Sequence, residues 1–294
     1  MQKPLTFYSA GVRLAGYLHA PDSDAEGKRP GIVVCTGFAA VQAFYLPEIC
    51  ETLARAGYVA LRFDYRGFGE SEGARGRVIP MEHVEDIRNA ITLLQQQPEV
   101  DPMRIGLYGT SFGGAHVSYT AGVDGRVLCA VSTVGIGNGR RWMRSLRRYW
   151  EWRAFLRRLE EDRVQRVLTG KAIYVSPYEI MVRDPNTEAE HTERQKQFPG
   201  SATDIVLESG EAIVQYAPED VVDRIAPRAI LWLHAEQDEL VPPEESEAMY
   251  ARAREPKKLV ILRGLTHYDV YRENGFVSTM RETLEWYRTF LPVP

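Results

Sequence analysis

The chain has 294 residues, 44% of them hydrophobic and 26% charged, which is globular composition and excludes an intrinsically disordered polymer. A net charge of −4 offers no general attraction to nucleic acid or anionic membrane. No run approaches the ~18 apolar residues of a membrane span, so no stable membrane insertion is expected.

In chain order, Val12 to Leu18 reads as an early strand, with Thr6 to Ser9 as its hairpin partner. Nothing before it has the pattern of a secretory leader, which predicts a soluble, cytoplasmic protein. Pro30 and Gly31 introduce the β-branched run Ile32 to Cys35, suited to a strand buried on both faces. Pro47 to Ala56 has helical periodicity and stops at Gly57. Tyr58 to Phe63 is the next strand, and Met81 to Gln97 is an amphipathic helix ending before Pro98. On that helix His83 is expected on the solvated face. Arg104 to Tyr108 is a strand that runs into a glycine-rich turn, followed by a small-residue helix from Phe112 to Ala121 and a strand from Val127 to Val134.

Alternation then breaks. Residues 135–223 are rich in arginine, aromatic and acidic residues and contain no evident buried strand. It resumes with a strand at Ala229 to His234, a helix at Pro243 to Ala253, a strand at Lys258 to Leu262 and a terminal helix from about Phe276 to Phe290. Strands alternating with helices at this spacing imply right-handed crossovers and a mostly parallel sheet. The expected organisation is a core made of residues 1–134 and 224–294, with a helical cap inserted at 135–223.

The strongest chemical signal is Gly109-Thr110-Ser111-Phe112-Gly113-Gly114, a G-x-S-x-G pattern with a strand before it and a helix after it. The glycines let strand and helix approach closely, and the amide of Phe112 opens the helix facing the serine oxygen. The competing reading is an ordinary tight turn that contains a serine. Downstream, the loop after Ala229 to His234 offers three acids, Glu236, Asp238 and Glu239. Of six histidines, only His267 in Gly264-Leu265-Thr266-His267-Tyr268 follows that loop at the end of a strand. His116, a turn past Ser111, is expected to face packing.

Taken together, these residues resemble the α/β-hydrolase superfamily, nearest its dienelactone-hydrolase-like and serine-aminopeptidase-like branch. The resemblance rests on Cys35 to Phe38, Asp64 to Ser71, Gly109 to Gly114, Asp238 to Pro242 and Gly264 to His267. It implies an α/β-hydrolase fold with an eight-stranded sheet and a catalytic triad of Ser111, Asp238 and His267. It also implies an oxyanion hole from the backbone amides of Phe38 and Phe112. Thr36 stands where the family's usual histidine would be, which leaves Phe38 and Ala39 as alternatives for the first donor. Asp64 to Ser71 is expected to be a structural loop with Arg66 bridging inside it. Serine at the turn separates the chain from the aspartate-dependent dehalogenases and epoxide hydrolases of this fold.

The expected reaction is hydrolysis of an ester, thioester or lactone of a small-molecule acyl substrate through an acyl-enzyme. Acyl transfer, thioesterase action and C–C hydrolysis share the same triad, and a non-catalytic binding protein would need a damaged one. No residue dedicated to a peptide amine is identifiable. No cofactor and no metal are expected, and the three cysteines read as buried, reduced side chains. From Arg140 to Arg166 the insertion carries ten arginines and three tryptophans. Trp142, Leu146, Tyr149, Leu156 and Leu159 are expected on one helical face, with the arginines paired to Glu151, Glu160, Glu161 and Asp162. This segment is read as a cap, with homodimer contact as its companion role and membrane-surface contact as a further alternative; nucleic-acid binding is not expected. Tyr45, Trp142, Tyr174, Tyr178 and Phe198 are the expected acyl-pocket side chains.

Overall fold

The computed structural model describes residues 2–21, 27–197 and 204–294. Its strands are β1 (Gln2–Ser9), β2 (Val12–His19), β3 (Arg29–Cys35), β4 (Val59–Phe63), β5 (Val100–Thr110), β6 (Val127–Thr133), β7 (Tyr174–Val175), β8 (Ile205–Val206), β9 (Ala229–Ala235) and β10 (Lys257–Leu262). Eight of them form one sheet in the order β1-β2-β4-β3-β5-β6-β9-β10. β1 pairs antiparallel with β2 and β2 with β4, while every neighbour pair from β4 to β10 is parallel. The eight-stranded, mostly parallel sheet expected from the alternation is therefore present.

The helices are α1 (Leu46–Arg55), α2 (Pro80–Gln95), α3 (Phe112–Val123), α4 (Gly139–Ser145), α5 (Tyr149–Thr169), α6 (Pro177–Ile180), α7 (Pro185–Gln197), α8 (Glu208–Val214), α9 (Glu244–Arg252) and α10 (Glu273–Phe290). Continuous apolar strands need cover on both faces, and they receive it. Leu46, Ile49 and Leu53 of α1 and Met280 and Tyr287 of α10 pack with Ile32, Val34, Val131 and Leu233 on one face. Val84 and Ile87 of α2, Ala115 of α3 and Met249 of α9 pack with Val33, Leu107, Ala130 and Trp232 on the other. Among the described residues no helix is long and apolar enough to cross a membrane.

Between β6 and β9 lie α4 to α8 and a two-residue ladder, β7 against β8, with Val175, Ile205 and Val206 buried. The absence of a buried strand expected here is thus corrected. The runs are too short to show a period in sequence. The single helical face expected from Trp142 to Leu159 is also corrected. The chain turns between α4 and α5, where buried Arg147 donates to the carbonyls of Met143, Glu179 and Ile180. α5 then buries Trp152, Phe155, Leu159 and Asp162 and leaves Tyr149 exposed.

Two further expectations are overturned. His83 is buried, stacked on Tyr65 with its Nδ1 3.2 Å from His116 Nε2. Its helix is covered where Tyr65 and α3 close over it, and the helical period alone does not reveal that. His116 is buried as expected. Arg66 reaches out of its loop to Asp86 and Glu85 of α2 and to Ser9. The loop is held instead by Asp64, which accepts the amides of Gln42 and Glu70, and by Ser71, which donates to the Asp64 carbonyl and accepts the Ala15 amide.

Candidate active site

β5, β9 and β10 are parallel, so the turns that follow them emerge at one edge of the sheet. Ser111 occupies the first of these turns, between β5 and α3, with φ 55° and ψ −123°. A non-glycine residue held at positive φ stores strain, and strain of this kind marks functional positions. The flanking glycines make the turn feasible. A Cβ on Gly109 would land on the Gly113 carbonyl, and a Cβ on Gly113 would meet the carbonyls of Cys35 and Thr36. The last contact also shows how closely α3 approaches the loop after β3, where Gly37 abuts Ser111.

Asp238 and His267 follow β9 and β10, and both are buried. His267 Nε2 lies 3.1 Å from Ser111 Oγ, and His267 Nδ1 lies 2.6 Å from Asp238 Oδ2. These partners fix the tautomer. Nδ1–H donates to the carboxylate, and Nε2 is left to accept from the hydroxyl. The other oxygen of Asp238 accepts the amides of Leu240 and Val241 at 3.1 and 2.7 Å, so the carboxylate cannot swing away from the imidazole. Neither competing acid reaches His267: Glu236 is exposed and accepts the Gly264 amide, and Glu239 is exposed.

Two supports escaped the sequence reading. His234, at the end of β9, donates from Nε2 to the Val241 carbonyl at 2.8 Å and meets Ser246 Oγ with Nδ1. Burial holds its pKa below the ordinary range, which keeps a second positive charge out of the neighbourhood of Asp238. Its placement on an inward-facing strand position was the available signal. The second support is Trp142, whose indole donates to the Leu240 carbonyl at 2.9 Å.

An apolar hollow opens at Ser111, with a volume of about 70 Å³. Phe38, Phe44, Tyr45, Met181, Leu240 and Tyr271 contribute to its wall. Tyr45, one of the expected pocket side chains, lies in that wall. The other expected pocket residues do not. Trp142 lies behind the wall against Phe38 and Phe112. Tyr174 is 55% exposed, and Tyr178 lies under the Arg183 guanidinium. Phe198 falls outside the described residues. Met181 was missed because the chain from α6 folds back over the sheet edge. A second hollow, of mixed character, on the other flank of His267 includes Asp184, Thr187, Gln237, Glu239, Leu240 and Tyr268 in its wall. Phe38 borders the Ser111 hollow, and Phe112 is the first residue of α3, where amides lack intrahelical acceptors. Among the described residues, no group of three or more His, Cys, Asp or Glu side chains is arranged to hold a metal ion.

The family model for serine aminopeptidase S33 matches residues 27–273. An uncharacterized 31.7 kDa protein from the traX–finO intergenic region of Escherichia coli is 32% identical over 265 residues, which is 90% of this chain and 92% of that protein. A thiohydrolase of Arthrinium phaeospermum is 28% identical, covering 84% of this chain and 83% of its own. The crystal structure of a hypothetical protein from Pseudomonas aeruginosa superposes with a TM-score of 0.86 at 24% identity, covering 99% of this chain and 94% of that one.

Proposed function

The chain belongs to the serine aminopeptidase S33 family of α/β hydrolases, and from that premise we propose that it cleaves a carboxylic ester, thioester or lactone through an acyl-enzyme on Ser111. The observation that carries this reading is the unbroken hydrogen-bond chain from Asp238 through His267 to Ser111 at the mouth of an apolar hollow. His267 Nε2 takes the hydroxyl proton as Ser111 Oγ attacks the acyl carbon. Asp238 stabilises the imidazolium that results. The negative charge on the former carbonyl oxygen is met by the amides of Phe38 and Phe112, and losing one such donor costs ~10²–10³ in turnover. His267 then passes its proton to the leaving alcohol or thiol. Water, deprotonated by the same nitrogen, attacks the acyl carbon, and the acid leaves with Ser111 restored.

The apolar wall around Ser111 supports an uncharged acyl group, and the Asp184, Thr187, Gln237 and Glu239 side chains in the hollow beyond His267 support a leaving group that carries hydrogen-bonding atoms. The thiohydrolase relative supports testing thioesters beside oxygen esters. Ser111→Ala should abolish hydrolysis of p-nitrophenyl acetate and butyrate, and a fluorophosphonate should label Ser111 in the unaltered chain. Full activity in the alanine variant, or labelling elsewhere, would overturn the reading.

A further inference from the structure

Among the described residues twelve large hydrophobic side chains are exposed, and five of them, Tyr149, Trp150, Val164, Val167 and Leu168, lie on the single helix α5. Trp150 is 63% exposed, Val167 78% and Leu168 77%. Scattered exposed hydrophobics need no explanation, but a concentration on one helix marks a contact surface. At 3.6 residues per turn, Trp150, Arg153, Arg157, Glu161, Val164 and Leu168 form one stripe opposite the buried face of Trp152, Phe155, Leu159 and Asp162.

The charges in this stripe are ordered. Arg153 and Arg157 come first and Glu161 after them, with Glu160 at the edge of the stripe, and none of the four forms an ion pair among the described residues. The other basic residues on this helix do find partners: Arg158 pairs with Glu179, Arg163 with Glu211, and Arg166 with Asp162, Glu208 and Glu211. Arg157 precedes Glu161 by one turn, the less favourable order for a pair within one helix. The unsatisfied charges are therefore free to meet a partner.

We propose that the exposed stripe of α5 pairs antiparallel with α5 of a second copy of this chain about a two-fold axis at the level of Leu159. Such an axis brings position i against position 318 minus i of the other helix. Arg157 of each copy then faces Glu161 of the second copy, and Trp150 faces Leu168 of the second copy. The arginines that precede and the glutamates that follow become complementary only in this antiparallel arrangement; a parallel pair would set like charges against each other. Arg153 is set against Gln165 of the second copy, next to Val164, so its stem can lie along that valine while its guanidinium stays in water. A helix pair with apolar ends and a charged centre gives an isologous contact with a polar middle. An anionic lipid surface is less suited, because Glu160 and Glu161 would stand against the headgroups.

The test is the mass of the full chain in solution by light scattering or sedimentation over about 1 to 100 μM, the range in which a single helix pair associates. A mass of twice 33.4 kDa is expected at the upper end. Arg157→Glu and Glu161→Arg should each weaken association about tenfold or more, because like charges then face one another. The double variant Arg157→Glu/Glu161→Arg should restore it to within about threefold, since reciprocal exchange rebuilds the same pairs. Trp150→Glu should also give a monomer, with the circular dichroism and esterase activity of the parent chain retained. A monomer at every concentration, or a dimer indifferent to the charge exchange, would overturn the proposal. So would a monomer that sediments with phosphatidylcholine–phosphatidylglycerol vesicles and is released by Trp150→Glu. Because association is read without substrate, failure here leaves the assignment of Ser111 untouched.

Discussion

His83 and His116 stand directly behind the turn that carries Ser111. His116 packs its ring against Phe112 at 4.6 Å and meets Tyr216, while Tyr65 stacks on His83 at 4.1 Å. Burial pushes the His83 imidazole down to about 3 and His116 well below its ordinary 6.5. An imidazole whose folded pKa is depressed is protonated more readily in the unfolded chain. Its contribution to stability is therefore complete above about pH 6.5 and drains away as pH falls towards 3. Asp64, raised by burial to about 6, acts with the opposite sign, as does Glu245, so the pH profile of the parent chain alone would mix these effects. Comparing it with His83→Gln removes the common part. At about pH 7.5 the variant should be roughly 2 kcal/mol less stable, having lost a buried, stacked ring. Towards about pH 4.5 the gap should close, since two titrating units below about pH 6.5, each worth about 1.4 kcal/mol, take away nearly 3 kcal/mol. Urea denaturation at three pH values reads it, and parallel curves would show that His83 is not held neutral. His267 resembles these histidines in the sequence, yet position in the chain order singled it out. What could not be read was which of the remaining histidines are buried, because His83 is covered by a residue eighteen positions earlier and by a helix on the far side of β5.

At the level of elements, the segment between β6 and β9 is tied to the wall of the hollow by one carboxylate. Glu190 of α7 accepts the Tyr45 hydroxyl at 2.7 Å and pairs with Arg272, which precedes α10. Tyr45 stacks on Tyr271 at 4.1 Å and 10°, and Tyr271 in turn hydrogen-bonds Thr110 beside Ser111. Tyr45 also sits at φ 55° before α1, an uncommon backbone for a tyrosine, which this stacking and hydrogen bond hold in place. Tyr45→Phe and Glu190→Gln should each raise KM several-fold, about 3 to 10, and leave kcat within a factor of two, because they loosen the wall of the hollow without touching the proton relay. Their effects on stability should couple by about 0.5–1.5 kcal/mol in a double-mutant cycle. A large fall in kcat with KM unchanged would mean that this contact acts on the chemistry instead. None of it was visible in the sequence beyond the bare presence of an aromatic at 45. The core elements were legible because each carries its own period and its own stop signal, as Ile32 to Cys35 and Gly57 illustrate. The elements between β6 and β9 were not, because their boundaries are set by tertiary partners, such as the three carbonyls that seat Arg147 and end α4.

Over the whole molecule, the question is whether residues 135–223 behave as a separate folding unit. We read them as a cap that unfolds with the core, because its roots are tied to core charges. Glu245 of α9 is buried and is satisfied from the cap side by the amides of Gly137 and Asn138 at 3.0 and 2.8 Å and by Arg141 at 2.8 Å. At the far end, Val206 donates to the Gly76 carbonyl, Ser209 Oγ accepts the Val78 amide and Glu208 pairs with Arg77. Detaching the cap would leave a buried carboxylate without partners, a cost of about 3–5 kcal/mol, comparable with a large part of a domain's net stability. The tryptophans make this measurable, since Trp142, Trp150 and Trp152 lie in the cap and Trp232 and Trp286 in the core. In urea, tryptophan emission and far-ultraviolet circular dichroism should trace one coincident transition. Arg141→Ala should lower its midpoint by about 2 kcal/mol equivalent and should be the variant in which the two signals first separate, because it takes the guanidinium from buried Glu245, leaving only the two amides, while the second tie at Glu208 and Ser209 persists. Two separate transitions in the unaltered chain would instead mean that the cap–core ties are too weak to couple the layers, and that the insertion folds by its own helix packing.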